Sequence, residues 1–226
     1  MVRIDDVYQK VLAFANKEQR GYITPQEFNL FANQAQLEIF EQYFYDLNQF
    51  LRPPGNSEEY SNIVTNLREK IVVFERTGTI NSGVIIPSTG DILYRLGTVI
   101  QNGIIVEEVQ PDDNPYIQSS PLLASSSLRP TYVRSGPLGI TLTPNTSATC
   151  TYVKLPKIPR WGYFVINAKA LYDPNPAKTT NFELHPSEES ELVYKILKYA
   201  GASMKREDVS RVGGALESQQ IQQEKQ

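Results

Sequence analysis

Ile23-Thr24-Pro25-Gln26-Glu27-Phe28 carries an unusually complete helix start. Thr24 suits the N-cap, Pro25 the first helical position, and Glu27, three residues after Thr24, completes a capping box. Ile23 and Phe28 flank the cap where a hydrophobic staple belongs. Beyond it, Phe28, Phe31, Ala32, Ala35, Ile39, Tyr43, Leu47 and Phe50 hold a 3.6-residue period until Pro53-Pro54-Gly55 stops it. The pattern predicts a helix from 25 to about 51, roughly 40 Å long at 1.5 Å per residue. Leu30, Leu37, Phe40 and Phe44 lie off the main stripe. An apolar surface that wide predicts burial on more than one side, against a neighbouring helix or another subunit.

Upstream, Ile4, Val7, Tyr8, Val11, Leu12 and Ala15 predict a first amphipathic helix, with Gly21 as its end. Downstream, Ser57 with Glu58 and Glu59 opens a third helix, continued by Ile63, Val64, Leu67 and Ile71. The pattern then changes to β-branched runs divided by Gly, Pro, Asn and Ser. Thr98–Gln101 and Ile104–Glu107 flank Asn102-Gly103, the strongest short hairpin signal. Pro130–Arg134 and Gly139–Thr143 read as a second hairpin. Thr149–Leu155 reads as a strand with Cys150, Tyr152 and Lys154 on one face, and Pro111–Ser127 reads as loop.

Helix returns near the end. Ser187 is the expected cap, acids fill the first turn, and Leu192, Val193, Ile196, Leu197, Ala200 and Met204 make the stripe. After Asp208 the chain is polar, with Gly213-Gly214 and a Gln-rich run from Gln219 to Gln226. That tail is expected to be disordered, or ordered only on a partner. The fold class is therefore α+β: N-terminal and C-terminal helices form a framework around an inserted antiparallel β-rich region. The expected divisions are 1–72, 73–170, 171–208 and a polar tail over 209–226.

Composition narrows the function classes. The chain has 226 residues, a net charge of −3 and no basic excess of the kind that general nucleic-acid binding requires. One cysteine, Cys150, excludes an internal disulfide and Cys-rich zinc sites. Met1-Val2-Arg3-Ile4 runs into Asp5 and Asp6, unlike a signal peptide, and no apolar run approaches a membrane span. Thirteen Tyr and nine Phe make the chain rich in aromatics suited to interfaces.

Candidate chemistry is thin. Residues 16–27 imitate a twelve-residue EF-hand loop, with Gly21 at position 6 and Glu27 at position 12. However, Asn16 replaces the first Asp, and Arg20 brings a cation to a ligand position. The capping box explains Thr24, Pro25 and Glu27 without a metal. His185 has no second histidine to complete a metal site, and Cys150 sits within a strand as a small buried hydrophobe. No phosphate-binding glycine loop, nucleophile elbow or His-Glu-x-x-His pair occurs. The expectation is a chain that is not an enzyme, with no catalytic residue, metal or cofactor.

Two sets of landmarks carry a family resemblance. The segment from Asn16 to Asn29 resembles the start of structural proteins of tailed phages, including crAss-like phages and their marine relatives. Phe182-Glu183-Leu184-His185-Pro186-Ser187-Glu188-Glu189, Lys154-Leu155-Pro156 and Trp161-Gly162-Tyr163 are similar to segments of the same proteins. The order of helices, extended insertion, C-terminal helix and tail is similar to head-to-tail connector (adaptor or ring) proteins. That resemblance implies a virion neck subunit, made in the host cytoplasm and assembled in a ring, commonly of twelve copies. It also implies partners in the portal protein and other neck or tail proteins, proximity to genomic DNA, and no membrane. The long β-rich middle departs from smaller connectors and leaves its place in the neck open between tail fibres, a second ring and the tail nozzle; the alternative function is another virion component, a capsid decoration, tail-tube or fibre-anchoring protein. Phe28, Phe31, Phe40, Tyr43 and Phe44 are the expected subunit contacts, and Gln219, Gln220 and Ile221 the expected partner contacts of the tail.

Overall fold

The computed structural model describes residues 1–16, 23–51, 58–144, 147–167, 169–203 and 207–224. The chain forms two compact units: one from residues 1–73 and 156–226, the other from 74–155. The β-rich insertion thus ends at Leu155, fifteen residues short of the expected 170. Residues 156–172 belong to the helical unit, because their polar groups are held by its helices.

In that unit, α1 spans Ile4–Asn16, α2 Pro25–Leu51 and α3 Glu58–Val72. The cap of α2 forms as read. The Thr24 N–H donates to Glu27 Oε2 at 3.0 Å, and the Glu27 N–H donates to Thr24 Oγ1 at 3.3 Å. Lys17–Tyr22, the middle of the EF-hand-like stretch, lie outside the described residues, as do Gly21 as a helix end and Ser57 as a cap. The stripe of α2 is buried at Phe28, Ala32, Ala35, Ile39 and Tyr43. Both α3 and α5 (Glu189–Ser203) pack on α2, so Phe40, off the main stripe, is buried as well. The chain's own helices thus cover much of the wide apolar surface, while Leu30 stays 71% exposed.

The entry to α5 differs from expectation. A 3-10 turn over Pro186–Glu188 precedes it, and its N-cap is His185, whose Nδ1 accepts the Ser187 N–H. Ser187 lies inside the turn. Leu192, Val193, Ile196, Leu197 and Ala200 are buried as the stripe requires; Met204 lies outside the described residues.

The tail also departs from expectation. Glu207–Glu224 form a helix, α6, packed on α5. Gly213 lies so close to α5 that an added Cβ would stand 3.0 Å from Lys198 N and 3.1 Å from Tyr194 O. That close approach brings Glu217 within reach of two lysines.

The second unit holds β1 (Glu75–Asn81), β2 (Val84–Ile86), β3 (Leu93–Gln101), β4 (Ile104–Ile105), β5 (Glu107–Glu108), α4 (Asn114–Ser119), β6 (Thr131–Arg134), β7 (Ile140–Thr143) and β8 (Ala148–Lys154). One sheet has the order β2-β1-β8-β3-β4 and the other β5-β6-β7. They are stitched at both ends. The Ile85 N–H donates to Leu138 O and the Ile140 N–H to Gly83 O, each at 2.8 Å. At the opposite side β4 runs into β5 through Val106, whose N–H donates to Val99 O at 2.9 Å. The circuit closes like a barrel, which removes free strand edges.

Ile80, Ile85, Val99, Val106, Tyr132, Ile140, Leu142 and Cys150 fill its interior. Asn102 and Gly103 adopt φ of 50° and 81°, as a primed hairpin turn requires. Pairing is antiparallel except for β5 with β6, which run parallel. The Pro111–Ser127 stretch, expected as loop, contains α4.

Candidate assembly surfaces

The helical unit carries its own small sheet. Tyr163–Ile166 (β9) and Lys169–Tyr172 (β10) form a two-stranded ribbon with Tyr163 opposite Tyr172 and Phe164 opposite Leu171. Trp161, 2% exposed, roots it. Asn29 of α2 clamps the Trp161 backbone: Trp161 N–H donates to Asn29 Oδ1 at 2.7 Å, and Asn29 Nδ2 donates to Trp161 O at 3.3 Å. The indole Nε1–H donates to Asp5 Oδ1 at 3.0 Å. Tyr8, Tyr163 and Tyr172 pack on the indole with centroids 4.3, 5.8 and 5.9 Å away.

Beyond this root the ribbon is exposed. Phe164, Val165, Ile166 and Leu171 are 41%, 62%, 52% and 44% accessible. Neither β9 nor β10 pairs with another strand among the described residues. A lone two-stranded ribbon is marginal in water, and apolar residues on unpaired strands are a template for association.

Three anchors hold the rest of the helical unit. Gln36, fully buried on α2, donates through Nε2 to Lys157 O at 2.8 Å and accepts the Glu183 N–H at 3.1 Å. The Glu183 carboxylate in turn accepts the Lys157 N–H at 2.9 Å. Lys70 of α3 meets the fully buried Glu188 at 2.7 Å. Glu217 of α6 accepts from Lys195 at 2.6 Å and from Lys198 at 3.0 Å, while Glu191 and Glu38 lie 3.5 and 3.6 Å from Lys195. Beside them the Tyr199 hydroxyl donates to Glu38; burial first, and then that carboxylate, push the phenol above its ordinary value.

A cleft of about 350 Å³ between α2 and α3 is lined by Asp46, Phe50, Leu67, Lys70, His185 and Ser187, among others. Its Lys70 ammonium is engaged by Glu188. His185 Nδ1 lies 2.9 Å from Ser187 Oγ, but that hydroxyl also donates to Glu188, and all three groups belong to the turn that enters α5. The contact is a helix cap. Cys150 is buried in the barrel, and burial pushes its thiol up. Among the described residues no group of three His, Cys, Asp or Glu side chains comes together to hold a metal ion, and no helix is long and apolar enough to cross a membrane.

The expected contact residues separate under this geometry. Phe28, Phe40 and Tyr43 are 0%, 0% and 4% exposed, buried in their own unit, so they are not surface available to a partner. Phe31 and Phe44 are half-buried, Phe31 stacked on Tyr199 at 6.3 Å and Phe44 edge-on to Phe40 at 5.1 Å. Gln219 is exposed and Gln220 half-buried on α6. Ile221 belongs to α6, but its side chain lies outside the described residues. Exposed apolar residues outside that expectation include those of β9 and β10. Their signal was present in Tyr163-Phe164-Val165-Ile166, a β-branched and aromatic run immediately before Asn167. Comparison with known protein families and with curated proteins finds no match to this chain.

Proposed function

We propose that the chain is a virion structural subunit of the head-to-tail connector of a tailed phage, forming a ring that joins portal to tail around the DNA passage. It works by assembly. Support comes from the resemblance of both chain ends to phage structural proteins and from an α+β architecture in which helices bracket an inserted β unit.

The observation that carries the reading is the contrast between the two kinds of sheet. Strands of the 74–155 unit close on one another, whereas the β9–β10 ribbon leaves its edges open and its apolar side chains in water. Such a ribbon gains stability when a neighbour covers it. Heterologous contacts of that kind close into rings when the rotation permits.

The test is imaging of virions carrying a labelled copy of the chain. Label confined to the neck between head and tail is the expected result. Label spread over the capsid surface, along the tail or on fibres would overturn this reading in favour of a decoration, tube or fibre-anchoring role.

A further inference from the structure

The β9–β10 ribbon and its flanks are basic. Between 157 and 178 the cations are Lys157, Arg160, Lys169 and Lys178, against the single acid Asp173. On the exposed face Lys169 stands opposite Ile166, beside the Phe164–Leu171 pair.

The 74–155 unit carries a surface of the opposite kind. Between Glu107 and Leu128 the chain has four acids, Glu107, Glu108, Asp112 and Asp113, and neither lysine nor arginine. In the same stretch Tyr116, Leu122, Leu123 and Leu128 are 77%, 93%, 48% and 84% exposed. The stretch folds back on itself. Arg129 donates to Glu107 at 2.9 Å, and Gln118, Ser125 and Thr131 are linked by hydrogen bonds. Its apolar and acidic side chains therefore share one excursion of the barrel. Arg129 offsets Glu107, so the acids fringing the four exposed large apolar groups are chiefly Asp112 and Asp113, and apolar groups with a charged fringe are the composition of a docking site.

We infer that the β9–β10 ribbon of one copy docks on the 107–128 excursion of the next copy of this chain, apolar face to apolar face with Lys169 and Arg160 toward the acids. The inference rests on the assembly reading above and names its contact. Each copy gives one ribbon and receives one, so the contact is heterologous and repeats around a closed ring. A single ribbon is a small interface, but closure makes every contact intramolecular with the rest of the ring and so multiplies its effect.

The test uses the full chain. Lys169→Glu, an exposed substitution, is expected to weaken self-association about tenfold in sedimentation velocity, and Asp112→Lys with Asp113→Lys to do the same. Joining all three changes in one chain is expected to restore association. Copies carrying Phe164→Cys, mixed with copies carrying Leu122→Cys, are expected to cross-link through a bis-maleimide, while each alone does not.

If the variants assemble like the natural chain and the mixed copies do not cross-link, the ribbon contact is wrong while ring assembly stands. If the natural chain stays monomeric with portal present, the assembly reading itself fails. If Lys169→Glu leaves assembly intact but abolishes retention of duplex DNA, the ribbon is a nucleic-acid surface and the inference is overturned.

Discussion

Lys195 Nζ lies 2.6 Å from Glu217 Oε1, and this buried pair docks a C-terminal sequence too polar to fold alone onto the helical unit. Burial by itself would raise the Glu217 carboxyl, but hydrogen bonds from Lys195 and Lys198 outweigh it and hold the group below its ordinary 4.5. Burial would lower Lys195, but the bond to Glu217 and the charges of Glu191, Glu217 and Glu38 raise it above 10.5.

The pH dependence of α6 follows from those directions. The Glu217 contribution is complete above its unfolded value near 4.5 and is lost as pH falls through the lower folded value. The Lys195 contribution is complete below 10.5 and is lost as pH rises through the higher folded value. Amide protection factors across Glu207–Glu224, corrected for intrinsic exchange, are expected to be flat near neutrality and to fall at both extremes. Glu217→Gln is expected to remove the acid limb and to cost about 2 kcal/mol, since Lys195 loses its nearest carboxylate and keeps Glu191 and Glu38 at 3.5 and 3.6 Å.

The two adjacent glycines of α6 should respond in opposite directions. Gly213→Val forces its side chain against the α5 backbone and is expected to undock α6, seen as a loss of protection in hydrogen exchange. Gly214 faces open space, so Gly214→Ala is expected to stabilise the protein by about 1 kcal/mol through helix propensity. Thermal denaturation of both variants checks the pair.

Gln36→Ala strands a part-buried carbonyl at Lys157 and a buried N–H at Glu183. The buried N–H left unsatisfied costs about 1–3 kcal/mol and the part-buried carbonyl less, so a total loss of roughly 1–4 kcal/mol in urea unfolding is expected.

Cys150 should report barrel opening. Its thiol is buried and pushed up by that burial, so a maleimide at pH 7 is expected to leave the native protein unlabelled and to react fully in denaturant. Rapid labelling of the native protein would mean that the barrel opens on its own.

What the sequence made legible was local. The capping box at Thr24 and Glu27, the stripe of α2 and the Asn102-Gly103 turn depend on residues a few positions apart, and each stands where it was read. Alternation groups Cys150, Tyr152 and Lys154 on one face of β8, and the structure turns that face inward. Periodicity shows that a face is apolar but not what covers it. Phe28, Phe40 and Tyr43 were therefore assigned to neighbours, although α3 and α5 of the same chain bury α2.

Other features depend on distant pairs. Glu217 on α6 finds Lys195 and Lys198 on α5, and no local pattern in a glutamine-rich tail announces that bond. Barrel closure depends on Ile85 meeting Leu138 and Ile140 meeting Gly83, more than fifty residues apart. The ribbon at β9 and β10 was written in β-branched and aromatic residues, but its open edges become visible only once the other strands are paired.

The most direct measurement is native mass spectrometry of the purified full-length chain, alone and mixed with portal. The expected result is a closed assembly of many copies, formed alone or templated by portal. A single-copy mass under both conditions, at every concentration tried, would contradict it.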